Sequence, residues 1–238
     1  MSRRSFLLAL SIVLVLVGGT AAALVLLVRH EPDYYRRAFV PPGPARTQLS
    51  GECVSEFHAL KEAVKYRDRE LDLRLTDEQV NSFFAEGFKQ ERLENSLPEK
   101  FSEPRVCFEP GKIRLAFRYG SGLWSSVISM DFGIWLTPEP NVIALELQGL
   151  HAGSLPIGTQ SFLDSLSEFA EQNSIQISWY RHKGNPVALL RFQTDDHDTP
   201  VHLQMVRVDQ GSLIIRGKPV GTGSARAAAL PVSQPAGN

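Results

Sequence analysis

The chain has 238 residues, 25 Lys and Arg against 26 Asp and Glu, and a formal net charge of −1 at neutral pH. A balance so close to neutral leaves no electrostatic footprint for nucleic acid, and no DNA-binding motif accompanies it. Once its apolar N-terminal segment and both ends are set aside, enough chain remains for one domain with one ordinary hydrophobic core.

Residues 1–5 form a short cytoplasmic N-terminus with Arg3 and Arg4, and an apolar run follows from Phe6 to Val28 without a charge or a proline. At a rise of ~1.5 Å per residue such a run covers a hydrocarbon core of about 30 Å. It reads as an uncleaved signal-anchor helix, because the apolar residues continue past the Ala21–Ala23 triplet where a peptidase would cut. "SRRSFL" is close to the twin-arginine export signal, with Leu8 where that motif has its lysine. The plainer expectation is that the two arginines keep the N-terminus in the cytoplasm of a bacterial inner membrane, whichever export route is used.

Residues 29–50 are expected to form a linker. Tyr34, Tyr35, Arg36 and Arg37 suit the headgroup level, and "PPGPA" suits a semi-rigid spacer. The extracytoplasmic domain is expected over 51–217 and a disordered tail, rich in Gly, Ala, Ser and Pro, over 218–238. Cys53 and Cys107 are a candidate disulfide, since two cysteines in an oxidising compartment can pair once.

Val54, Phe57, Leu60 and Val64 predict the apolar face of a first domain helix. "RELDLRL" alternates as a strand, and "TDEQVNSFFAEGF" opens a second helix with Thr76 and Gln79 spaced as a capping box. Val80, Phe83, Phe84 and Phe88 form its apolar face. After Pro104 the period becomes two: "KIRLAFRY", "SSVISMDFGIWL" and "NVIALELQGL" are strands with one covered face, joined by turn sequences as in an antiparallel meander. Glu146 and Asp131 fall on the solvent side of that alternation. A further amphipathic helix carries Phe162, Leu163, Leu166, Phe169 and Ala170, and the strands "SIQISWYRH", "PVALLRFQ", "VHLQMVRV" and "SLIIRG" follow it. The fold class is α+β: a transmembrane helix, then a curved antiparallel sheet packed with amphipathic helices.

Two stretches, "LTDEQVN" at 75–81 and "GSLPI" at 153–157, stand in an order and spacing that resembles the YpmS-type family of bacterial membrane-anchored proteins, which has no established function. The likeness runs from about Leu71 to Phe192. The Arg-Arg start, the Pro-rich spacer and the long tail depart from it. The architecture is also similar to tubular lipid-binding folds, in which a bent sheet wraps a helix around an apolar groove. That likeness implies a groove for a lipid or other apolar ligand lined by Phe83, Phe84, Phe88, Leu155, Ile157, Phe162, Leu166 and Phe169.

Nothing in the sequence points to catalysis: no nucleophile elbow, P-loop, H-E-x-x-H or dinucleotide fingerprint is present. "TDDHDTP", at 194–200, reads as a solvated hairpin tip, because consecutive residues of an extended chain point in alternating directions. Neither a metal nor a cofactor is expected. The sequence leaves two functions open. One is a membrane-anchored lipid-binding module. The other is a bitopic protein whose closed-core domain contacts an envelope partner through strand edges or its tail.

Overall fold

The computed structural model describes residues 3–65, 70–90, 100–122, 125–160, 163–164, 167–168, 177–191 and 201–219. It is α+β, as the patterning implies. Helix α1 (Arg3–Arg29) projects from the domain, exposed from Ser11 to Leu27. Among the described residues it alone is long and apolar enough to cross a membrane. Helices α2 (Asp33–Arg37) and α3 (Pro44–Lys65) follow; Pro44 stands at the first helical position, where its missing N–H costs nothing. Next come β1 (Leu71–Thr76), α4 (Asp77–Ala85) and α5 (Gly87–Gln90).

Nine further strands follow among the described residues: β2 (Phe101–Glu109), β3 (Lys112–Tyr119), β4 (Ser126–Leu136), β5 (Val142–Ala152), β6 (Leu155–Pro156), β7 (Ile177–His182), β8 (Asn185–Arg191), β9 (Val201–Asp209) and β10 (Ser212–Pro219). They form two open antiparallel sheets where the sequence suggested one. The larger runs β2-β3-β4-β5-β8-β7, with β6 paired to β5, and the smaller runs β1-β10-β9. The β9 strand of the smaller sheet lies against β4 and β2 of the larger. Part of the apolar face expected to sit under helices is therefore covered by a second sheet.

Strand β2 has no counterpart in the sequence reading. Pro104 interrupts its alternation, and a proline is tolerated in a strand chiefly at an edge or a bulge. The structure supplies both conditions. β2 is an edge strand, its register with β3 shifts between Ser102 and Arg105, and Glu103 takes φ of 47° there.

Two asparagines join the layers. Asn81, on α4, donates Nδ2–H to the Val106 carbonyl (2.8 Å) and accepts the Val106 N–H on Oδ1 (2.8 Å). Its amide thus behaves as a short strand against the open edge of β2. In the β4–β5 turn, Asn141 (φ 58°) donates to the Val201 carbonyl (3.0 Å) and accepts from the Leu203 N–H (2.7 Å), fastening β9. The Thr76–Gln79 capping box forms as its spacing predicts.

The main core gathers Cys53 and Ala63 of α3, Leu71, Leu73 and Leu75 of β1, and Val201 and Leu203 of β9. The buried face of α3 is therefore the one with Ser50, Cys53 and Ala63, with Leu60 packed beside it. Phe57 of the expected stripe is 43% exposed, and its ring contacts that of Phe83. A second cluster joins Val106, Phe108 and Val208, and a third joins Met130, Leu147 and Leu150.

The expected linker is not a spacer. Tyr35 is fully buried and Tyr34 is 9% exposed; both pack with Ala116 and Val127 on the larger sheet. Ala116, on the polar side of β3's alternation, is small enough to admit these rings, so β3 is covered on both faces there. Tyr35 donates its hydroxyl hydrogen to the Glu103 carbonyl (2.8 Å), and Arg105 stacks on its ring and donates to its carbonyl.

Candidate functional site

An α-helix ends with carbonyls that have no partner within the helix. At the end of α1 the domain provides partners. Ser126 Oγ donates to the Val28 carbonyl (2.6 Å), and the Ser154 N–H donates to the Leu27 carbonyl (2.9 Å). Gly153, at φ 60°, lets the β5–β6 turn approach this closely, its own N–H donating to Val127 O at 2.8 Å. A Cβ at that position would overlap the backbone carbonyls of Leu27 and Val28. Glu31 adds an ion pair with Arg118 (3.5 Å).

Beside this junction lies a polar cavity of about 330 Å³, at the small end of ligand pockets (roughly 300–1,000 Å³). The segment after α1 contributes His30, Asp33, Tyr34 and Arg37; β3 and β4 contribute Arg114, Ser129 and Asp131; the β5–β6 region contributes His151, Gly153 and Ser154. Its two carboxylates already have cations. Asp33 is bonded to Arg36, and Asp131 lies 3.6 Å from both Lys112 Nζ and Arg114 Nε. Asp33 is held below the usual carboxylate range, chiefly by its hydrogen bond with Arg36.

The donors are less well served. Tyr34 Oη is buried next to Ser129 without a formed hydrogen bond, and Arg114 Nε, at ion-pair distance from Glu109 (3.3 Å), likewise makes none. Arg37 takes part in no ion pair among the described residues. Buried polar groups in folded proteins nearly always have partners, which sets the Tyr34 hydroxyl apart at this cavity, whereas Arg114 Nε faces two carboxylates.

The residues expected to line an apolar groove are distributed differently. Phe83, Phe84 and Phe88 do come together, with ring centroids 5.7–6.4 Å apart. Phe83 packs on the main core and Phe84 on the Val106–Phe108–Val208 cluster. Leu155 and Ile157 belong to neither cluster: Leu155 lies on β6, which pairs with His151 and Ala152 of β5, and Ile157, just beyond it, is 40% exposed. Phe162, Leu166 and Phe169 lie outside the described residues, as does "TDDHDTP". Leu163 of the same helical pattern packs on Met130, Leu147 and Leu150.

The expected disulfide is absent, since Cys53 and Cys107 are free thiols. They sit in different clusters, Cys53 in the main core and Cys107 beside the Tyr34–Tyr35 cluster. Burial pushes the Cys53 thiol up to about 11 and raises that of Cys107. Glu146 also departs from expectation. It is buried, accepting from Gln148 Nε2 and Asn185 Nδ2 at 3.0 Å each, where the alternation had placed it in solvent. Asp131 is half-buried at the cavity.

Comparison with known proteins finds no matching family model, curated protein or solved structure. The site therefore stands on its own geometry. Sequence reasoning missed it because its parts are far apart in the chain. The signal available was the pairing of β3 with β4, which sets Arg114 opposite Asp131 on the face that alternation marks as polar.

Proposed function

We propose that this protein is a single-pass protein of the bacterial cytoplasmic membrane, related to the YpmS-type family, whose α+β domain stands outside the cytoplasm and binds membrane lipid without catalysing a reaction. The observation that carries this is the junction. An exposed apolar helix ends directly on the domain, its last carbonyls held by Ser126 and Ser154. Once α1 crosses a bilayer, the β5–β6 turn and the adjoining cavity lie at the membrane surface, within reach of lipid but not of the hydrocarbon centre.

This favours lipid contact at the junction over a groove beneath the phenylalanines, whose rings are engaged with buried side chains. The test is native mass spectrometry of the full chain released from maltoside micelles, with extraction and identification of what it retains. Retained lipid at a defined stoichiometry is the expected result. A clean apo mass from protein that fractionates with the membrane would leave the bitopic scaffold as the function.

A further inference from the structure

The two buried groups of the cavity without a formed hydrogen bond can both donate, while its two carboxylates are paired. Tyr34 Oη and Arg114 Nε lack hydrogen-bond partners, Arg37 lacks an ion pair among the described residues, and Asp33 and Asp131 are claimed by Arg36 and by Lys112 with Arg114. A cation would find no free carboxylate there, and among the described residues no group of three His, Cys, Asp or Glu is placed to hold a metal. An uncharged ligand would leave the Arg37 guanidinium without a counter-charge, since Arg114 already faces Glu109 and Asp131. These donors suit an anion with several acceptor oxygens, to which guanidinium groups make short, charge-assisted bonds.

The position of the cavity narrows the anion further. His30 stands two residues past Val28, the last of the apolar run, and Arg37 is one short helix further on. If the hydrocarbon core is about 30 Å of a bilayer of roughly 40–45 Å, each headgroup layer is about 5–7 Å deep, the zone these residues occupy next to the end of α1. The anion concentrated in that layer is the phosphate of phospholipids.

Resting on the lipid-binding reading above, we propose that this cavity is a phosphate site for a phospholipid headgroup, with Arg37, Arg114 and the Tyr34 hydroxyl as its donors. Tyr34 is 9% exposed and held between Ala116 and Val127, so its hydroxyl is fixed before a ligand arrives. Arg114 lies over the Tyr34 ring, its Cζ 5.2 Å from the centroid, which orders two of the donors together.

The experiment uses the full chain in dodecyl maltoside and native mass spectrometry with three probes: dioleoyl phosphatidylglycerol, dioleoylglycerol with the same tails and no phosphate, and inorganic phosphate. The double variant Tyr34→Phe, Arg37→Gln removes a hydroxyl and an exposed charge while keeping the buried ring. An unchanged melting temperature shows that it folds. Phosphatidylglycerol should be retained over dioleoylglycerol, and the variant should lose about tenfold in that retention, as expected for losing charge-assisted hydrogen bonds. Equal retention of both lipids, unaltered by the substitutions, would overturn the phosphate site and leave lipid binding intact. Binding of inorganic phosphate that the variant abolishes, with neither lipid retained, would support the site but make soluble phosphate its source and remove the lipid reading. No binding of any probe would overturn both.

Discussion

Replacing Gly153 by alanine should uncouple α1 from the domain. The added Cβ meets the backbone carbonyls of Leu27 and Val28, which cannot swing aside as a side-chain tip could. At φ 60° a non-glycine residue also carries a conformational cost of about 1–2 kcal/mol. If α1 withdraws, the Ser154-to-Leu27 and Ser126-to-Val28 hydrogen bonds are lost, at about 0.5–1.5 kcal/mol each. The sum is about 2–5 kcal/mol of local stability. Gly158, five residues on, is a matched control, because nothing lies within 4 Å of its Cβ direction and its φ is not positive. Hydrogen exchange on the full chain in micelles reads the effect at the Ser154 amide, since each ~1.4 kcal/mol lost from the opening free energy speeds exchange about tenfold. In Gly153→Ala this amide should exchange at least tenfold faster than in Gly158→Ala. Equal rates would mean that the junction is not closed as described.

Asn81→Ala leaves both main-chain groups of Val106 unpaired in a buried place and should lower unfolding stability by about 2–4 kcal/mol in denaturant titrations. Asn81→Asp should also destabilise, because a carboxylate cannot donate to the Val106 carbonyl. Glu146 is held below the usual carboxylate value of 4.5, first by its hydrogen bond from Gln148 and then by that from Asn185, with burial opposing both. A lowered folded-state value means that its stabilisation is full above about pH 4.5 and is lost as pH falls further. The denaturation midpoint of the native chain should therefore drop more steeply below that pH than that of Glu146→Gln, and parallel curves would refute the assignment. In unreduced protein, thiol labelling after unfolding should modify both Cys53 and Cys107, with Cys53 unreactive before unfolding; a pair that stays blocked would reinstate the disulfide.

Where one force decided the structure, the sequence showed it. β3 covers Lys112–Tyr119, the stretch marked by period-two alternation, because a strand on a core repeats every second residue. The Thr76 cap was equally legible, being local chemistry within four residues. β2 was hidden by Pro104, which only its edge position and bulge accommodate. The face of α3 was misjudged because large apolar residues marked a stripe at Val54 and Phe57, whereas the contact with β1 uses the smaller Cys53 and Ala63. Small residues carry little weight in a hydrophobic pattern, yet they let backbones approach.

The candidate site was the least legible part, for a related reason. Its donors come from the segment after α1 and from the polar face of β3, and only the docking of Tyr34 and Tyr35 over Ala116 brings them together. The apolar groove was implied by the likeness to tubular lipid-binding folds, whereas helix periodicity records only that rings are covered, without recording by what. Phe83 and Phe84 are covered by the core.

The docking of α2 changes what the anchor does. A flexible spacer over residues 29–50 would let the domain turn freely above the membrane and would give no side chain a fixed depth. Instead Tyr35 is buried, Arg105 bonds its carbonyl, Glu31 pairs with Arg118, and Arg46 bonds both Glu86 (2.8 Å) and the Val40 carbonyl (3.3 Å). Each exposed ion pair among these contributes little, but the two rings and the clamped carbonyls fix the helix direction relative to the sheet. The stretches at 75–81 and 153–157 gain a physical role from this. The first holds the edge of β2 through Asn81, and the second receives the end of α1 through Gly153 and Ser154. A domain assembled in this way holds a fixed orientation relative to α1, which the proposed headgroup site requires and a freely turning tether would not provide.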